Sequence, residues 1–226
     1  MLRDMFSAIP QVERPEPRWP AILASFSAVA LHFVLPAPLR VGPPWVLAIL
    51  VVSLALAAHV FRSRGWHRQN SWMGYAVLSV LAFGLLYGVG ALVAGLVHHA
   101  ADAIAVLRSA AILWTINVIV FAGWYWRLDA GGPNERERRR AHTSGAFLFP
   151  QMTYSVPGES DRTIAEHTAW RPSFVDYLFL SFNTSTAFSP TDVPVLSSKA
   201  KLAMMLQSLI SLTTIVLLAG RAVNIL

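Results

Sequence analysis

None of the 226 residues is cysteine, which excludes disulfides and thiolate metal sites. Charge is scarce as well. Asp, Glu, Lys and Arg make up 13% of the chain, about half the share of an ordinary soluble domain. The acidic sign is the rarer, with 12 Asp and Glu against 18 Lys and Arg. Zinc-ligand spacing, a phosphate-binding glycine loop and a nucleophile elbow are all missing. No cofactor and no metal are expected, and no enzyme. The N-terminus lacks the pattern of a cleaved signal, in which a short apolar core precedes a small-residue site, so the first apolar stretch is expected to stay as an anchor.

What the chain has instead is apolar length. It is 55% hydrophobic, with a mean hydropathy of +0.50. Stretches near the roughly 20 residues that cross a bilayer lie at 19–35, 45–61, 72–97, 104–126 and Leu202–Ala219. The expected fold is all-α and membrane-embedded, with five transmembrane helices. A polar tail covers residues 1–18, and residues 19–126 hold four of the spans. A basic polar loop follows at 127–172, with a short hairpin possible around Phe147–Val156. The last segment is 173–226. Gly84, Gly88, Ala91 and Gly95 share one face of the third span, where small residues let helices approach closely; a flexible hinge is the alternative.

The net charge of +6 would suggest nucleic acid in a soluble protein. In a membrane chain it instead points to basic loops against anionic headgroups, and no nucleic-acid partner is expected. Five spans place fifteen of the 18 basic residues on one side, leaving Arg40, Arg108 and Arg221 on the other. Basic loops stay cytoplasmic, so the N-terminus is expected inside, in a multi-pass protein of a bacterial inner (plasma) membrane.

Residues 173–192 break the pattern of full spans. Ser173–Asp176 has the form of a capping box with Asp in place of Glu. A helix from there to about Ser185 is ~20 Å long, too short to cross. A polar run follows: Asn183, Thr184, Ser185, Thr186, Ser189, Thr191 and Asp192. Irregular backbone at membrane depth is tolerated only inside protein or beside a water-filled cavity. The expectation is a re-entrant pore-like half-helix before the last span, dipping in from the cytoplasmic side; an overruled charge bias or a span count off by one would turn it outward. Its C-terminal carbonyls and threonine hydroxyls would favour cations. A packed, dry hairpin with Asp192 in solvent is the competing reading. On the last span Gln207, Ser211 and Thr214 recur on one stripe, either facing a conduit or hydrogen-bonding between helices.

The stretch Ser181-Phe182-Asn183-Thr184-Ser185-Thr186, with Asp192 six residues on, resembles the pore segment of potassium channels, Ser-Phe-x-Thr-x-Thr, then the filter, then Asp. The five-span layout also looks like a group of uncharacterised bacterial membrane proteins with a similar last hairpin. The resemblance covers Ser173 to Leu226. It implies a homo-oligomer, a tetramer by analogy, with monovalent cations as permeant ions. Filter positions would be Asn183, Thr184, Ser185, Thr186, Ala187, Phe188, Ser189 and Asp192, with Gln207, Ser211 and Thr214 lining the inner helix. The likeness fails where such channels read Thr-Val-Gly-Tyr-Gly, because this chain reads Ala187-Phe188-Ser189-Pro190-Thr191. No glycine lies between Gly158 and Gly220 to supply positive φ, and Pro190 removes an N–H. A potassium-type filter is therefore not expected. Two readings remain: a cation-permeable pore with a different filter, or a non-conducting structural or interaction protein. A weaker third is a membrane protein that binds lipid or a small molecule through the arginine-rich run 136–140.

His32 and His59, inside the first two spans, fall at opposite membrane faces and cannot share a haem.

Overall fold

The computed structural model describes residues 16–97, 103–139, 145–152, 170–186 and 193–223. Those residues are helical, with one isolated bridge between Phe147 and Val195 and no strand. The helices are α1 (Trp19–Val34), α2 (Pro44–Ser63), α3 (His67–Val97), α4 (Ala103–Leu128), α5 (Pro133–Arg139), α6 (Phe174–Thr186) and α7 (Ser198–Val223). Single 3₁₀ turns stand at Ala37–Leu39, Asp129–Gly131 and Pro150–Met152.

Four helices are long and apolar enough to span a membrane: α2, α3, α4 and α7. The expected first span is the shorter α1, with 16 residues. Proline sets its limits. Pro20 sits where the helix has no N–H to lose, and Pro36 forces Leu35 into extended backbone. α2 also opens on proline and stops before Gly65, whose φ of 73° suits a left-handed turn.

α4 is the centre of the bundle, packing against α1, α3, α6 and α7, whereas α2 leans chiefly on α3. Its side chains supply much of the core, with Ala110, Leu113, Val120, Ala122 and Tyr125 sealed from solvent. Close approach to α3 depends on glycine. A Cβ at Gly88 would lie 2.8 Å from Leu113 Cδ2 and 3.1 Å from the Leu39 carbonyl oxygen, and one at Gly84 would press on Leu47. Gly95, on the same stripe, faces open space. α3 runs unbroken through all of them.

The expected loop after residue 126 is more ordered than its polarity suggests. α4 continues to Leu128, and the chain then reverses through Ala130, Gly131 and Gly132, at φ of 49°, 80° and 87°. α5 leaves from there. Of the expected hairpin around Phe147–Val156, residues 153–156 lie outside the described residues, and Phe147 bridges to a distant segment. Its partner is Val195, flanked by Leu148 N–H to Pro194 O (3.0 Å) and Leu196 N–H to Ala146 O (2.8 Å).

Candidate functional site: a polar seam between α4, α6 and α7

α6 begins at the predicted cap. Asp176 Oδ2 accepts from both the N–H and the hydroxyl of Ser173, each at 2.7 Å. The carboxylate thus holds an N-terminal N–H that the helix leaves unpaired. One face of α6 is buried, carrying Phe174, Tyr177, Leu180, Ser181, Thr184 and Ser185. Its opposite face exposes Val175, Phe179, Phe182 and Thr186 at helical spacing.

Against the buried face lies the polar stripe of α7. The two hydrogens of Gln207 Nε2 are shared among Ser181 O and Oγ (2.8 Å each) and Ser185 Oγ (2.6 Å). Tyr125 of α4 donates its hydroxyl to Gln207 Oε1. One turn further along, Ser211 Oγ donates to Ser185 O (2.5 Å) and accepts from Trp114 Nε1 (3.0 Å). Asn117 Nδ2 donates to the Gln207 carbonyl (3.2 Å), and the Ser181 hydroxyl to Val118 O (2.7 Å). Thr214 bonds back to its own helix. In a low-dielectric interior each of these groups would be costly without a partner, and the three helices supply most of them, leaving Asn117 Oδ1 buried without one among the described residues.

Two pairings fix a direction. Ser181 meets Gln207, and Ser185, four residues on, meets Ser211, also four residues on. α6 and α7 therefore run parallel. They also start from one end of the bundle. Tyr177 OH donates to Asp129 Oδ2 (2.6 Å), and Asp129 Oδ1 accepts from the N–H of Ala146 (2.6 Å) and Phe147 (3.3 Å). Phe147 in turn pairs with Val195, just ahead of α7. Val195 therefore stands at the same end of the bundle as the start of α6.

The predicted filter residues divide. Thr184 and Ser185 are buried in the seam, with the Thr184 hydroxyl donating to Leu180 O (2.8 Å). Asn183 is half-buried, and Thr186 is exposed at the helix end, bonded to Phe182 O (3.0 Å). Ala187, Phe188, Ser189 and Asp192 lie outside the described residues. Gln207, Ser211 and Thr214, expected on the inner helix, are all buried against α4 and α6.

Sequence reasoning passed over the seam's partners on α4. Asn117, alone among apolar neighbours at mid-span, carried the signal, since a strongly polar residue in a span needs a partner. It also passed over the basic end. Arg136, read as part of a charge run, is 2% exposed and forms a bidentate pair with Glu16 (3.0 and 2.8 Å) while donating to the carbonyls of Trp126 (2.9 Å) and Asp129 (2.7 Å). Beside it Arg18 binds Asn70 (3.0 Å), Asn134 (2.6 Å) and Glu137 (2.9 Å), and Arg62 reaches Glu137 at 3.5 Å. Burial pushes the Arg18 guanidinium below its ordinary value, against the pull of Glu137. These contacts gather the start of α1, the end of α2, the start of α3 and all of α5 at the end where α6 begins. Among the described residues no group of three His, Asp or Glu is placed to hold a metal.

No protein-family model, curated protein or solved structure matches the chain. The fold and the seam define an all-helical protein whose four long apolar helices are consistent with a multi-pass membrane protein.

Proposed function

We propose that the chain is an oligomeric pore-loop ion channel, permeable to cations through a filter unlike that of potassium channels. In this reading α1 is a fifth, short span. α6 is a re-entrant half-helix, and several copies, four by analogy, surround its tip in a bacterial inner membrane with the N-terminus cytoplasmic. The observation that carries it is the parallel course of α6 and α7 from one end of the bundle. A 13-residue helix reaches ~20 Å, and the nine residue steps from Thr186 to Val195 span roughly 30 Å at most. That is enough chain to return along α6. Thr186 stands at the tip, exposed beside an apolar strip that neighbouring copies would cover.

A second reading draws on the seam itself. Gln207 and Ser211 spend their hydrogen bonds within one chain. A scaffold protein that conducts nothing would use them in the same way.

The deciding experiment joins mass in nanodiscs to cation flux in liposomes. The channel reading expects a homo-oligomer, with flux altered by Asp192→Asn or Thr186→Ala. A monomer without flux would overturn it in favour of the scaffold.

A further inference from the structure

A cavity of ≈ 580 Å³ opens between α1, α2, α3 and α4, within the roughly 300–1,000 Å³ of small-ligand sites. Its two parts differ in chemistry. Along the helices the wall is apolar, with Ile22, Phe26, Val51, Ala55, Val77 and Leu78. At the end where the helix termini gather it is mainly basic, with Arg18, Arg62 and Arg127 beside one carboxylate, Glu16.

The Arg127 guanidinium lies directly on Gly74, where a Cβ would fall 1.7 Å from Nη2, so a side chain there would displace it. The rings of Tyr75 and Trp126 flank it, 5.8 and 5.4 Å from its centre. Arg127 nevertheless makes no side-chain hydrogen bond or ion pair among the described residues. The nearby acids are engaged elsewhere, Glu16 by Arg136 and Glu137 by Arg18 and Arg62. Arg62 Nη1 and Arg18 Nε are also buried without an acceptor. Arg127 faces the cavity without an acidic partner among the described residues, and a guanidinium fork matches a phosphate.

We propose that this cavity holds one anionic phospholipid from the adjoining leaflet. Its phosphate pairs with Arg127 and the free donor of Arg62, and one acyl chain lies along the apolar wall past Ala55 and Phe26. The charge complementarity selects the headgroup, and the depth between α1 and α2 selects a chain over a free anion. The inference is independent of the pore reading.

The test uses full-length protein in phosphatidylcholine nanodiscs with spin-labelled phosphatidylglycerol or phosphatidylcholine as probe. The wild type is expected to immobilise the anionic probe roughly five-fold more strongly, as one basic residue near a membrane surface contributes. Arg127→Gln should bring that ratio close to one, and Arg127→Lys should keep most of it, which separates charge from folding. Ala55→Trp should release either probe by filling the apolar part. Displacement by inorganic phosphate alone at millimolar concentration would make the mouth a plain anion site and overturn the proposal. An anionic preference unchanged in Arg127→Gln would also overturn it. So would a preference that appears only after residues 1–14 are removed, because the chain's own N-terminus would then be the occupant.

Discussion

The Tyr177 hydroxyl donates to Asp129 Oδ2 at 2.6 Å, and both residues are fully buried. This contact ties the first turns of α6 to the end of α4. The same carboxylate holds the 146–147 backbone, so Asp129 keeps the start of α6 and the segment ahead of α7 at one end of the bundle. The next residue, Ala130, takes a left-handed conformation, φ 49°, which is uncommon for a residue with a Cβ.

Tyr177→Phe removes a donor from a buried carboxylate oxygen and should destabilise the protein by about 1–3 kcal/mol. Asp129→Ala removes the acceptor of three donors among the described residues and should cost more, on the order of 3–5 kcal/mol. Thermal unfolding in detergent reads both, and equal melting temperatures for Tyr177→Phe and wild type would refute the coupling.

The seam predicts a graded series on α7. Gln207→Leu loses that side chain's own bonds to Ser181, Ser185 and Tyr125, leaving Ser211 on the Ser185 carbonyl. At about 0.6 kcal/mol for each membrane hydrogen bond, the loss is roughly 1–2 kcal/mol. Ser211→Ala should cost about half as much. Thr213 bonds only to its own helix, and Thr213→Ala should stay within about 0.5 kcal/mol of wild type. Denaturation midpoints in mixed micelles give the order.

Glycine positions on α3 should separate by their neighbours. Gly88→Ala meets both Leu113 and the Leu39 carbonyl and should cost about 1–3 kcal/mol by overpacking. Gly90 and Gly95 face open space. Alanine there should be neutral or should stabilise the helix by up to about 1 kcal/mol. Thermal shifts of the three variants decide between them.

The cap of α6 is open to a direct test. Asp176→Ala leaves the Ser173 N–H without its acceptor and should cost about 0.5–2 kcal/mol. Asp176→Asn, which keeps an oxygen, should recover part of that. A cap with no role would give the same unfolding midpoint for all three proteins.

Sidedness can be read with single cysteines, since the chain has none of its own. Ser63 and Ala37 are exposed at opposite ends of α2 and α1. In spheroplasts, Ala37→Cys should react with an impermeant maleimide at once, and Ser63→Cys only after lysis, because the Ser63 end carries the basic cluster. The reverse pattern would place the α6 entry on the outer face.

The sequence by itself determined what local chemistry can specify. Apolar length marked α2, α3, α4 and α7, prolines bounded α1, and the Ser173–Asp176 pair began α6 where the helix does begin. The stripe Gln207, Ser211, Thr214 was legible as one helix face, because a 3.6-residue period is a property of the chain alone. What that face meets was not legible. A polar stripe reads the same toward water as toward three buried partners, and only packing joined Gln207 to Ser181, Ser185 and Tyr125 across sequence separations of 26, 22 and 82 residues. Tertiary structure likewise decided the fate of the charges. Arg136 sits in a run that looks solvated, yet its bonds to Glu16, 120 residues away, bury it, while Arg127 is left beside a cavity. Ion pairing and desolvation depend on which helix ends share a face of the bundle, and no window of sequence contains that information.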